Sequence, residues 1–167
     1  MKNKKRIRNQ FGYSLLEVLV VLVIFSLLAV ISSTAILFAL RGARKSDASA
    51  RVRESVDFAI ATIERQLRNA SSITSCDAGM ISFNDRDFGP STFSCVEIGE
   101  DTGHVASGSA RLTADGVIVT ACDFTCTDAQ GSSPPSVNVT ISAKDRNTTG
   151  AEGATFSVST QVVLRTY

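Results

Sequence analysis

The chain has 167 residues, 44% hydrophobic and 20% charged, a balance that excludes a disordered polyelectrolyte and a uniformly membrane-embedded protein and leaves room for one modest domain plus an anchor. The formal net charge of +1 hides a segregation: five of the 17 basic residues (Lys2, Lys4, Lys5, Arg6, Arg8) fall in residues 1–12 with no acid, leaving 12 bases against 16 acids, a net of −4, over 13–167. From Ile73 onward 11 acids face 5 bases, a net of −6, which repels polyphosphate and disfavours direct nucleic-acid binding by that portion.

Residues 1–12 form a basic leader. A mostly apolar run follows from Tyr13 to Leu40, broken near its start by Glu17. Between Glu17 and Arg41 the 23 residues Val18 to Leu40 carry no formal charge. As a helix they would extend about 35 Å at roughly 1.5 Å per residue. That exceeds a hydrocarbon core of about 30 Å, so the segment can cross a bilayer with some tilt. The positive-inside rule keeps the leader cytoplasmic and sends the carboxy-terminal portion outward. Arg41, Arg44 and Lys45 beyond the far end reduce the asymmetry, but the leader retains the larger excess. Two other readings exist: a secretory signal peptide ending in Ser33-Thr34-Ala35, and an unprocessed signal anchor. Neither gives Glu17 a task.

The stretch "FGYSLLEVLVVLVIFSLLAV" (Phe11 to Val30) combines a basic leader ending in Gly12, an aromatic residue, three mostly apolar positions, Glu17 and a long apolar tract. It resembles the class III signal of type IV prepilins and type II secretion pseudopilins, over residues 1 to 40. Carried over residue by residue, the resemblance implies prepilin peptidase cleavage after Gly12, methylation of the new amino group on Tyr13, and Glu17 as the assembly acid. The family usually has Phe where this chain has Tyr13, which preserves the aromatic ring.

The physical chemistry agrees with that spacing. A charged acid at bilayer depth costs about 2.5 to 3.5 kcal/mol on insertion scales, so it needs a partner. Cleavage after Gly12 would create a cationic amino group four residues before Glu17, on the same helical face. The resemblance adds that this face can meet its counterpart on a neighbouring subunit and fix axial register.

The helix is expected to continue past Arg41 and Gly42, a possible flexible point, to about Asn69. Val52, Val56, Ala59, Ile60, Ile63 and Leu67 recur at spacings of three and four, one buried stripe. Arg51, Arg53, Asp57, Glu64, Arg65 and Arg68 lie opposite and read as a solvated face. After "NASS" the pattern predicts strands over Met80 to Phe83, Thr92 to Ile98, Ala110 to Thr113, Val117 to Phe124, Val137 to Ala143 and Thr155 to Arg165. The clearest is "SVNVTISA", in which Val137, Val139, Ile141 and Ala143 alternate with polar residues. One long helix followed by strands predicts an α+β fold whose antiparallel sheet covers the helical stripe. That architecture is also the pilin one. The expected organisation is a leader (1–12), a transmembrane and assembly helix half (13–40), an amphipathic half docking on the head (41–69), and a disulfide-containing β-rich head (70–167).

All four cysteines, Cys76, Cys95, Cys122 and Cys126, lie in the outward portion and suggest two disulfides with three possible connectivities. The sequence-local pairs, Cys76 with Cys95 and Cys122 with Cys126, are favoured. Zinc is disfavoured because C-x3-C with one histidine elsewhere is a poor ligand set. His104, the single histidine, sits in the loop-like "DTGHVASGSA" and reads as an exposed loop residue; its nearness in sequence to Ser107 and Asp101 does not make a triad. Asp85/Asp87 and Glu100/Asp101 read as solvated turn acids. No catalytic residue, cofactor or metal is expected. The implied function is structural. Its expected partners are other pilin or pseudopilin subunits, prepilin peptidase, an inner-membrane assembly platform and membrane lipid. The cell membrane, with the head outside the cytoplasm, is its expected place. "IERQLRNASSI" and "VVLRT" resemble features of minor pilins and larger minor pseudopilins, which initiate or cap a filament. Protein secretion, pilus biogenesis and DNA uptake are the candidate processes. An anchored extracellular binding module or enzyme that never polymerises is the competing class.

Overall fold

The computed structural model describes residues 14–129 and 134–164. The leader, Gly12, Tyr13 and Arg165 lie outside the described residues. The first element is helix α1, Leu15–Asn69, 55 residues long, and the chain divides into two compact units between Arg41 and Gly42.

In the first unit every described residue is exposed. An 18-residue window there has a mean hydropathy of 2.9 with none of it buried in the protein. A helix apolar on all sides suits hydrocarbon, because its backbone groups are satisfied internally. Its few hydroxyls are satisfied the same way: Ser26, Ser33 and Thr34 donate to the carbonyls of Val23, Ala29 and Ile31 at 2.8 Å each.

In the second unit α1 becomes striped. Ala48, Val52, Ser55, Val56, Ala59, Ile60, Ile63 and Leu67 are buried, which contains the whole stripe read from the spacing. Arg68 in the last turn complements the carboxy-terminal end of the helix dipole. Ala70 enters a strand directly. An antiparallel sheet follows in sequential order: β1 (Ala70–Asp77), β2 (Met80–Asp85), β3 (Gly89–Val96), β4 (His104–Ser107) and β5 (Ala110–Arg111). A second antiparallel sheet contains β6 (Val117–Thr127), β7 (Ser136–Asp145) and β8 (Thr155–Val163). The fold is therefore α+β and pilin-like, a long apolar helix whose second half packs against antiparallel sheets.

The core lies between the α1 stripe and the inner faces of both sheets. Ile81, Phe83, Phe93 and Val105 come from the first sheet, and Phe83 stacks on Phe93 with ring centroids 5.3 Å apart. On β7, Val137, Val139, Ile141 and Ala143 are all buried while Asn138 and Lys144 face out, the alternation expected of a half-buried strand. β6 departs from simple alternation. Val117 and Val119 point inward, a register shift falls at Thr120, and Cys122, Phe124 and Cys126 then take the inward positions. One extra residue reverses the phase of the strand, and without it both cysteines would face solvent.

The disulfides correct the sequence-local pairing. Cys76 bonds Cys126 and Cys95 bonds Cys122, so both bridges join the first sheet to β6. The local pairs are geometrically excluded. Cys122 and Cys126 are four residues apart on one extended strand, roughly 13 Å at about 3.3 Å per residue, far beyond the roughly 7 Å limit for bridged Cα atoms. Cys76 on β1 and Cys95 on β3 are separated by β2, a gap of two strand spacings. The Cα atoms that are bridged lie 6.3 and 5.9 Å apart. Backbone bonds reinforce the same seam: Val119 N–H donates to the Gly103 carbonyl and Phe124 N–H to the Ala78 carbonyl, at 2.8 and 3.0 Å. Gly103 has to be glycine here, since a Cβ would collide with the Val119 carbonyl oxygen.

Replacing Cys76 and Cys126 together by serine removes a 50-residue constraint, and loop-closure entropy predicts a loss of about 4 kcal/mol. Denaturant unfolding of the full chain in detergent, followed by circular dichroism, is the check; a loss below about 1 kcal/mol would mean the seam is held by packing alone.

Candidate functional site

The candidate site is the amino-terminal end of α1. Ser14 precedes the helix, and its carbonyl accepts the N–H groups of Glu17 (3.0 Å) and Val18 (3.2 Å), closing the first turn. Glu17 lies in that turn, where the positive end of the helix dipole favours an anion. It is exposed, and among the described residues no ion pair to it is recorded. Leu15, Leu16, Val18, Leu19 and Val20 around it are 48 to 82% exposed. A single carboxylate therefore stands in an apolar surface that nothing in the described chain covers. Gly12 and Tyr13, the residues whose processing would create a cation opposite it, precede the described part of the chain.

The head supplies polar clamps rather than a reaction centre. Asp145 is the most elaborate. Its side chain is only 1% exposed, and it accepts hydrogen bonds from Asn147 N–H (3.0 Å) and Thr148 Oγ1 (2.9 Å) while pairing with Arg51 of α1 at 3.4 Å. Burial pushes its carboxyl pKa upward, but the Thr148 and Asn147 bonds and the Arg51 charge together outweigh this and hold it below its ordinary value. Elsewhere Ser55 Oγ accepts the Ala114 N–H at 3.0 Å and Thr160 Oγ1 donates to Glu64 at 2.6 Å. Arg53 sits 5.4 Å over the Phe156 ring. The face of α1 read as solvated is therefore partly engaged: Arg51, Arg53 and Glu64 flank the stripe and fasten the helix to the second sheet.

Other candidate residues separate. Asp85 is buried, not a solvated turn acid; it accepts from Asp87 N–H (2.8 Å), Phe88 N–H (3.3 Å) and Asn69 Nδ2 (3.2 Å), organising the β2–β3 turn. His104 opens β4 and is half-buried, not an exposed loop residue. Its Nδ1 donates to the Thr102 carbonyl at 2.9 Å, and Ser107 lies at the far end of the strand, so the two do not form a nucleophile and base. Among the described residues no cluster of three or more His, Cys, Asp or Glu could hold a metal.

Residues 7–33 match the family model for the prokaryotic N-terminal methylation motif. The chain carries the class III signal of type IV pilins and pseudopilins on a pilin-like fold. The match places the class III signal on the leader and first helical turns, the same stretch that leaves Glu17 alone in an apolar surface. No curated protein and no solved structure matches the chain. The matched residues end at 33, upstream of the striped half of α1 and of both sheets.

Truncating Asp145 to alanine orphans the Asn147 N–H and Thr148 hydroxyl and leaves Arg51 unpaired, for an expected loss of about 1–3 kcal/mol near neutral pH. Because the folded carboxyl has a lowered pKa, its stabilisation is present above the unfolded value of about 4 and disappears as pH falls through the folded value. Urea midpoints measured from pH 7 down to pH 2 should therefore fall less steeply for Asp145→Ala than for the unmodified protein. Parallel curves would remove Asp145 from the acid response.

Proposed function

We propose that the chain is a structural subunit of a type IV pilus or a type II secretion-like pseudopilus, processed after Gly12, N-methylated on Tyr13 and assembled through residues 13–40. The observation that carries this reading is Glu17, a lone carboxylate in the first turn of a helix exposed and apolar on every side. Cleavage would place a cationic amino group four residues before it, and the pair would neutralise both charges at membrane depth. Between subunits the same pairing would select one axial register, because a shift along the helix leaves a carboxylate in an apolar surface. Prepilin peptidase, sister subunits, an inner-membrane assembly platform and lipid are the partners this implies. The membrane anchor would be a single span with the head outside the cytoplasm, where two disulfides are at home.

Within that class we place the chain as a minor subunit that initiates or caps the filament. Support comes from "IERQLRNASSI", which runs from the end of α1 straight into β1, and from "VVLRT" at the end of the chain. Secretion, pilus biogenesis and DNA uptake are the candidate processes for such a subunit. A role in uptake would not require the acidic head to bind DNA itself.

Intact-mass measurement on protein taken from membranes should find an amino terminus at methylated Tyr13. Retention of Met1, or a start at Ile36 after cutting at Ala35, would rule the reading out. Glu17→Ala should leave insertion and cleavage intact while incorporation with partner subunits falls; undiminished incorporation would remove the role given to the carboxylate.

A further inference from the structure

The second sheet ends in a strand whose outer edge is open. The ladder between β7 and β8 has no register shift, and bonds at its two ends fix its phase: Asp145 N–H donates to the Ala154 carbonyl at 3.0 Å and Leu164 N–H to the Pro135 carbonyl at 2.9 Å. Even-numbered residues of β8 therefore bond to β7. The N–H and C=O groups of Thr155, Ser157, Ser159, Gln161 and Val163 point the other way, where no strand lies among the described residues.

Sheet edges in soluble proteins are normally guarded by charge, proline, a bulge or shortness. The other edges of the head follow that rule. The outer edge of β6 is occupied by its bonds to Gly103 and Ala78, β5 has two residues, and β1 is broken by two register shifts and ends in Asp77. β8 is nine residues long with no charge, proline or bulge.

We propose that β8 pairs antiparallel with β8 of a second copy about a two-fold axis at Ser159, joining two three-stranded sheets into one of six strands. A two-fold edge sets like residues near like, so a charge there would repel itself; Thr155 to Leu164 contains none. The centred register sets Ser159 against the partner's Ser159 and Ser157 against the partner's Gln161 on the outer face. On the inner face it sets Phe156 against the partner's Val162. Polar groups beside the edge can be covered without being orphaned, because Ser159 already bonds Thr140 at 3.0 Å and Ser157 bonds Ser142 at 2.8 Å. The helix flank behind the edge carries both signs, Arg53, Asp57 and Glu64, so the two copies do not present a single repelling charge. A two-fold pair closes on itself and cannot extend a helical filament. It is a pairing of heads separate from assembly through the apolar helix, and it does not rest on the processing of Gly12.

The test uses the full-length protein in detergent micelles, with sedimentation to count copies. Wild type should show a concentration-dependent dimer, Ser159→Lys should weaken it at least tenfold, Ser159→Glu should do the same, and a mixture of the two variants should recover a mixed dimer. Ser159 is exposed, so both variants should retain the wild-type circular dichroism. In membranes, Ser159→Cys should be joined by a short bismaleimide, which spares the native disulfides, while Thr125→Cys on the outer face of β6 should not. A dimer that persists in Ser159→Lys is held by another surface and overturns the proposal. So does a monomeric wild type, or a Ser159→Cys that links only to a different protein.

Discussion

Both sheets of the head fold onto one line of side chains, Ala48, Val52, Val56, Ile60, Ile63 and Leu67, so the position of that stripe on α1 decides where the strands lie. Burial of such a stripe is the main favourable term available to a head of this size, and a core of Val, Ile and Phe closes over it. The polar clamps at its margins, Arg51 to Asp145, Ser55 to Ala114 and Glu64 to Thr160, add direction to an attraction that has none of its own. They determine which way round the helix sits in its cleft. Upstream of Ala48 the stripe gives way to a charged turn, Arg41 to Asp47, and before that the apolar surface runs all round the helix, so one continuous element is written for two different solvents.

β6 holds the two sheets together. It pairs with β7 along one edge, and its other edge meets the turns of the first sheet through Gly103 and Ala78. The shift at Thr120 is what lets a single strand do both, since Val117 and Val119 serve the core before it and Cys122, Phe124 and Cys126 serve the seam after it. Two covalent bridges and two backbone bonds then converge on eight residues, Val119 to Cys126.

Much of this was legible in the sequence because periodicity reports burial. The α1 stripe and the alternation of β7 are each the direct imprint of one buried face, and both appear in the structure where the spacing puts them. β1 and β4 were not legible. β1 has Ile73 as its one branched apolar residue and two register shifts, and β4 is four residues long; each is a strand because its neighbours supply a ladder, not because its own residues ask for one. Cysteine pairing was misread because short loops are entropically favoured in a chain without structure, while extension along β6 and the interposition of β2 override that preference. The engaged arginines of α1 were hidden for a related reason: helical spacing separates faces, but Asp145 and Phe156 arrive from strands roughly a hundred residues away. Glu17 was legible for the opposite reason, as a violation of the pattern around it.

The bridges are nested, Cys95–Cys122 lying wholly inside Cys76–Cys126. For a head delivered across a membrane from its helix end, Cys76 and Cys95 emerge as neighbouring thiols before either rightful partner has appeared. A bond between those two would leave Cys122 and Cys126, which cannot reach each other once β6 is extended. Nesting thus ties both bridges to one strand: a Cys76–Cys95 bond would deny both cysteines of β6 their partners, and only thiol–disulfide exchange would return the chain to the pairing seen here.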